Sequence, residues 1–270
     1  MRILKLLFKR AALLPALALI FATLVCVGLI VSRAVVSGNS RYWYLIVNVL
    51  LAWLPLCFAL LTRANYLSRK TNSARADWKF FALFGAWLLF FPNASYICTD
   101  LVHLTNRFIQ YFWLDLAVIL SAAFTGLILG FVSLYLMQSL VAQRLGKTIG
   151  WSFVFCVSAV SSFGVYLGRF LRFNSWHVLT KPDELLHGIY VAAQGMFLEP
   201  RLFAFLALFT IFTFTAYVIL YAMAHMPTAM QLQRELRLSK ASRETDAGIF
   251  SGTKAPAAIS LNASTAFQDS

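Results

Sequence analysis

The sequence predicts an all-α polytopic membrane protein, a helix bundle of about six transmembrane helices with short external amphipathic helices. Three observations predict it. Of the 270 residues, 60% are hydrophobic and only 12% are charged, against about 25% charged in an ordinary soluble domain. The apolar residues collect in blocks of about 20, the length that crosses about 30 Å of hydrocarbon at about 1.5 Å per residue. The lysines and arginines between the blocks fall unevenly on the two sides.

Spans are predicted near 11–32, 42–62, 80–98, 113–137, 151–170 and 202–224, within a membrane domain over 1–227. Met1 to Arg10 is basic and precedes an apolar run, as in a signal peptide. The run from Ala11 to Val31 exceeds the 7–15 residues of an h-region and no small-x-small pattern ends it, so a retained first helix is expected. With the amino terminus inside, the inner segments hold 16 lysines and arginines and the outer ones 7. That asymmetry predicts both termini cytoplasmic, in a bacterial cytoplasmic (inner) membrane. It also accounts for the formal net charge of +13 without a nucleic-acid partner; membrane lipids are the expected surroundings.

Pro55 is expected to kink the second span. The fourth span reads Ala122-x-x-x-Gly126-x-x-x-Gly130 and the fifth Gly164-x-x-x-Gly168, spacings that let helix backbones approach closely. Beyond the sixth span, Gln231 to Arg243 reads as a basic helix at the membrane surface. The rest of a 228–270 tail reads as largely disordered. The four cysteines, Cys26, Cys57, Cys98 and Cys156, stand singly, so neither a metal site nor a disulfide framework is expected. No cofactor is implied.

The third span is the unusual one. Only the 12 residues from Phe80 to Phe91 precede Pro92, enough for about 18 Å of helix. Two readings are open at Pro92-Asn93: a helix broken at membrane depth that lines a cavity or binding site, or a plain proline kink in a structural helix. Tyr96 follows, and then Asp100, His103 and Arg107, spaced to share one face of a short interfacial helix. Thr99 or Asp100 is suited to cap that helix. An Asp-x-x-His pair falls short of the three or four ligands a metal needs.

Asp115 opens the fourth span, where the helix dipole favours a carboxylate. Arg169 and Arg172 end the fifth, followed by Asn174 and Trp176. Arginine at that depth needs a carboxylate, a phosphate or a route to water, and Asp100 and Asp115 are the nearest carboxylates by topology. Thr180 to Asp183 has capping-box spacing and an early proline, so a second external helix starts there and Asp183 and Glu184 are assigned to its first turn. His177, His187 and Glu199 have no spacing that specifies a role.

The stretches Phe91 to Leu104, Trp113-Leu-Asp115 and Ser162 to Trp176 resemble a bacterial membrane family catalogued as domain of unknown function 1361, over roughly residues 45–225. The family pattern often has an aspartate after Asn-Ser-Trp, where this chain has His177. The resemblance implies a polytopic membrane protein and no established activity.

Three functions follow from the residues. The first is an outer-face site built from Asn93, Tyr96, Asp100, His103, Asp115, Arg169, Arg172, Asn174 and Trp176. It would bind or process an anionic lipid-linked or envelope precursor, with binding favoured over catalysis. The second is a small-solute transporter using backbone freed at Pro92-Asn93. The third is a structural or assembly protein whose charges merely pair. Substrate and oligomeric state are not specified by any motif.

Overall fold

Each apolar block forms a helix because, inside a bilayer, a chain satisfies its backbone polar groups only in helices or closed barrels. The computed structural model contains α1 (Arg2–Ser37), α2 (Trp43–Leu67), α3 (Arg75–Tyr96), α4 (Phe112–Leu145), α5 (Lys147–Arg169), the single turn α6 (His177–Thr180), α7 (Pro182–Leu198) and α8 (Pro200–Phe250). A 3-10 helix, Ile97–Leu104, follows α3 directly. The structure describes residues 2–38, 40, 42–67, 75–104, 111–173, 175 and 177–250. Side chains are described within these except at 2–12, 67, 75–77, 103, 179, 196–198, 227–237 and 240–250. No strand occurs among the described residues.

Six helices are long and apolar enough to cross a membrane: Leu13–Ser37, Trp43–Tyr66, Trp78–Val102, Phe112–Leu145, Lys147–Arg169 and Pro200–Met226. The expected all-α, multi-pass architecture is thus what the chain adopts. Two compact units are distinguished, residues 1–217 and 218–270. In the second, the backbone is helical through Phe250, including 231–243. Tyr221 stacks on His225, with ring centroids 4.1 Å apart. Residues 251–270, the last part of the predicted disordered tail, lie outside the described residues.

Two points of the sequence reading concern where helices end. α4 runs to Leu145 and α5 begins at Lys147, so the connection predicted over 138–150 shrinks to Gly146. Gly146 adopts φ +98°, a conformation that a side chain would strain. The added turns of α4 carry Gln138 and Arg144, which a helix tolerates well. Gln138 is buried and its Oε1 accepts a hydrogen bond from the Tyr217 hydroxyl of α8. Arg144 lies over the rings of Tyr66 and Phe80, 4.6 Å and 5.3 Å from their centroids.

The second point concerns α3, where of the two readings the structural helix holds and the chain does not break at Pro92-Asn93. The helix continues without interruption to Tyr96 and only then tightens into the 3-10 helix. Pro92 withholds its backbone donor from the carbonyl four residues back, yet the surroundings make the helix the better choice. Its ring lies against Gly164 of α5, where a Cβ would stand 2.6 Å from Pro92 Cγ. One turn later, a Cβ on Gly168 would stand 3.2 Å from Tyr96 Cε2. Both contacts advance by four residues, so α3 and α5 run parallel, ring against bare backbone.

The opposite face of the same α3 segment is held by α4. A Cβ on Gly126 would lie 2.8 Å from Ile97 Cδ1 and 2.9 Å from the Ala94 carbonyl oxygen; one on Gly130 would lie 2.8 Å from Ala94 Cβ. Two glycine stripes therefore grip residues 91–97 from two sides. Phe91, Ala94 and Ile97 are consequently almost fully buried, as is Trp87 one turn earlier, whose Nε1 donates to Ser133 Oγ of α4 at 3.2 Å.

The outer helices add to this centre. α8 buries Leu202, Leu206, Thr210, Thr213 and Tyr217, a stripe at helical spacing. Thr210 Oγ1 donates to Ser162 Oγ of α5 at 2.9 Å. α1 is tied to α2 by Trp53 Nε1 donating to Thr23 Oγ1 at 3.1 Å.

Alanine at Gly164 must displace Pro92, and overpacking of this kind costs about 1–3 kcal/mol. Gly164→Ala is therefore expected to lower the unfolding temperature of the detergent-solubilised protein. Gly85→Ala, where nothing lies within 4 Å, should leave it unchanged or slightly higher; equal effects at the two positions would count against the grip described.

Candidate functional site

Of the polar residues singled out by sequence, Asn93, Tyr96, Asp100, Asp115, Arg169 and Arg172 lie toward one end of the bundle, where α1, α3 and α5 end and α2, α4 and α8 begin. The 3-10 helix brings Asp100 back over α5. There Arg169 Nη1 donates to Asp100 Oδ1 at 2.9 Å, with the Asp100 side chain 1% exposed. The guanidinium of Arg169 also faces the Tyr96 ring, 5.9 Å from its centroid. Thr99 does not cap a following helix. Its hydroxyl donates back to the Tyr96 carbonyl at 2.7 Å, satisfying one of the carbonyls orphaned where α3 ends. Asp100 is a salt-bridge partner of Arg169.

Asp115 has a different partner from those the sequence offered. Arg33, at the end of α1, donates Nε to Asp115 Oδ1 and Nη2 to Asp115 Oδ2, the latter at 3.4 Å. Arg33 also lies over the rings of Tyr111 and Tyr42, at 4.6 Å and 5.8 Å from their centroids. Both charged residues are buried. In the sequence Arg33 is one of the seven outer lysines and arginines; its position at a span end, level with a carboxylate opening another span, was the available signal. Asp115 is therefore occupied structurally and does not join Asp100.

Arg172 is exposed, three residues past Arg169. It has φ +58°, which for a side chain other than glycine costs about 1–3 kcal/mol. This turn carries the chain off α5, and the Phe173 backbone N–H reaches back to the Leu167 carbonyl at 3.1 Å. Arg172 makes no ion pair among the described residues. Asn174, Trp176 and Arg107, and the side chain of His103, lie outside the described residues. Among the described residues no group of three or more His, Cys, Asp or Glu could hold a metal.

Beside these charges is a cavity of about 200 Å³. Asn48 and Leu51 of α2 line it, together with Leu89, Pro92, Asn93 and Tyr96 of α3 and the glycine face of α5. Phe173, Ser175, Val178, Leu185 and Ile189 close it from the α5–α7 side. Asn93 Nδ2 donates to Ser175 Oγ at 3.0 Å, fastening the connection after α5 to α3. Gly188 of α7 fits against Phe173, whose Cε2 would be 2.5 Å from a Cβ there. α7 begins at Pro182, with Pro at its first turn as predicted, but Lys181 and not Thr180 occupies the capping position and no side chain caps it. Asp183 and Glu184 are exposed in the first turn, where Lys181 Nζ pairs with Glu184 at 3.0 Å.

The candidate site thus consists of a cavity lined by Asn93 and Tyr96, an Asp100–Arg169 pair beside Tyr96, and an exposed Arg172. Asn48 and Ser175 are additions that sequence reading missed. Asn48 gave the one usable hint, a carboxamide inside an apolar block.

Fold and polar end together define a multi-pass membrane protein. The family described as Protein of unknown function (DUF1361) matches residues 47–216, and the chain belongs to that family. No curated protein and no solved structure matches the chain. Arg33 lies outside the matched segment and its partner Asp115 inside it.

Removing one partner of a buried pair strands the other charge and costs about 3–5 kcal/mol, whereas replacing both by apolar groups is often neutral. Arg33→Met is accordingly expected to reduce the amount of folded protein sharply. Arg33→Met with Asp115→Leu should recover most of it, measured as monodisperse protein after detergent extraction.

Proposed function

We propose that the chain binds an anionic, lipid-linked substrate at the polar end of its bundle, which the lysine and arginine distribution puts at the outer face. The observation that carries this reading is Arg172: exposed, left-handed, and without an ion pair among the described residues. It adjoins Phe173, which lines the cavity. Arg169 is already matched by Asp100, so it serves mainly to hold the 3-10 helix and Tyr96 in place. A guanidinium at an interface can grip a phosphate with two parallel hydrogen bonds. A left-handed residue other than glycine persists only where the surroundings impose it, and such residues gather at binding sites. The transporter alternative loses its particular support, because α3 is unbroken at Pro92 and frees no unwound segment there.

Arg172→Gly separates binding from folding. Glycine accepts φ +58° without strain, so thermal stability should stay the same or rise. Retention of phosphatidylglycerol by the purified protein, read by native mass spectrometry, should fall about tenfold, equivalent to ~1.4 kcal/mol. Arg172→Lys should be intermediate, since an ammonium cannot make the paired contact. Undiminished phosphatidylglycerol retention in Arg172→Gly would sink the proposal.

A further inference from the structure

The cavity beside Arg172 has a chemistry that the neighbouring charges do not explain. No lining residue is charged, yet Asn48, Asn93, Tyr96 and Ser175 are polar. Asn93 and Ser175 spend one hydrogen bond on each other. The Asn48 carboxamide, the Asn93 Oδ1 atom and the Tyr96 hydroxyl make no hydrogen bond among the described residues. Asn48 stands in the second turn of α2, inside the span Trp43–Tyr66, where hydrocarbon offers no partner. Polar groups left open at that depth call for a ligand or ordered water.

The donor and acceptor pattern narrows the ligand. A carboxamide presents two donors and an acceptor oxygen, and a phenol presents one donor and an acceptor. An anion only accepts, and would meet the Asn48 and Asn93 oxygens unfavourably. Hydroxyl groups both donate and accept, and so match every open group in the cavity. The volume of about 200 Å³ exceeds the roughly 150 Å³ cavity that admits benzene, but falls below the roughly 300 Å³ at which whole-ligand pockets begin. It therefore has room for about one six-membered ring. Tyr96 and Phe173 supply aromatic walls. Leu89, 37% exposed on a membrane span, carries the lining out to the hydrocarbon.

We infer that this cavity takes a single uncharged, hydroxyl-bearing ring, a sugar residue, belonging to a lipid-linked molecule. The inference rests on the lipid-linked reading above and specifies its headgroup: the ring lies against Asn48 and Asn93, the anionic group lies at Arg172, and the hydrocarbon stays in the bilayer.

The test uses the full chain in phosphatidylcholine nanodiscs, which avoids sugar-headed detergents. Monoglucosyl diacylglycerol, the matching diacylglycerol and phosphatidylglycerol are each added, and bound lipid is counted by native mass spectrometry. The native chain should retain the glucosyl lipid at least fivefold over diacylglycerol. Asn48→Leu removes the open carboxamide, and Ile189→Trp fills the cavity from α7. Both should abolish that preference while the melting temperature stays unchanged. Equal retention of glucosyl and plain diacylglycerol by the native chain, or a preference surviving in both variants, would overturn the inference. Free glucose competing as strongly as the glucosyl lipid would overturn its lipid-linked part. A sugar preference that persists while phosphatidylglycerol fails to bind would remove the anion site at Arg172 and leave the ring site standing.

Discussion

The bundle depends on the double grip on residues 91–97, the end of α3 and the first residue of the 3-10 helix. Gly126 and Gly130 of α4 lie on one side of that segment, and Gly164 and Gly168 of α5 on the other. Lipid tails are as apolar as leucine, so helices in a bilayer associate through close packing and hydrogen bonds, not through exclusion of water. Bare backbone at four positions gives three helices the contact area they need. The same contact decides the conformation of α3: with Gly164 beneath it, the Pro92 ring has a place to lie, and the helix continues.

Continuity of α3 then determines where the polar residues go. Because the helix ends at Tyr96 and not at Pro92, the change to a tighter helix comes later, and Asp100 is carried back over the end of α5 to meet Arg169. Asn93 and Tyr96, one turn apart, turn toward the cavity beside α2 and α7. Had the chain unwound at Pro92, Asn93 would have offered its backbone groups to the cavity. In the intact helix its carboxamide lines the cavity and donates to Ser175.

Much of the fold was legible in the sequence, because six apolar blocks admit few alternatives inside a membrane. The glycine stripes were legible as packing faces, but not their common target. Spacing reports which residues share a face and says nothing about which helix lies opposite. The same gap explains Asp115. Its place in the first turn of α4 was readable, but choosing among Arg33, Arg169 and Arg172 required knowing that α1 packs on α4. The choice between a break and an intact helix at Pro92 stayed open in the sequence because the cost of a proline inside a helix is set by its neighbours. Of the site, Asn93, Tyr96, Asp100, Arg169 and Arg172 were recognisable as polar residues near span ends. Asn48 and Ser175 were not, since each is an isolated residue whose importance comes from the others around one cavity.

The Arg33–Asp115 pair also bears on how the protein is made. Its partners are 82 residues apart, and two further spans must enter the bilayer between them. Until α4 inserts, Arg33 has only the aqueous boundary at the end of α1 to receive its charge, which holds that helix at a shallow depth. Arrival of Asp115 neutralises it and lets Tyr42 and Tyr111 close over it. The charge balance at the end of α1 is therefore complete only once α4 is in place, because Arg33 is matched from 82 residues further along the chain.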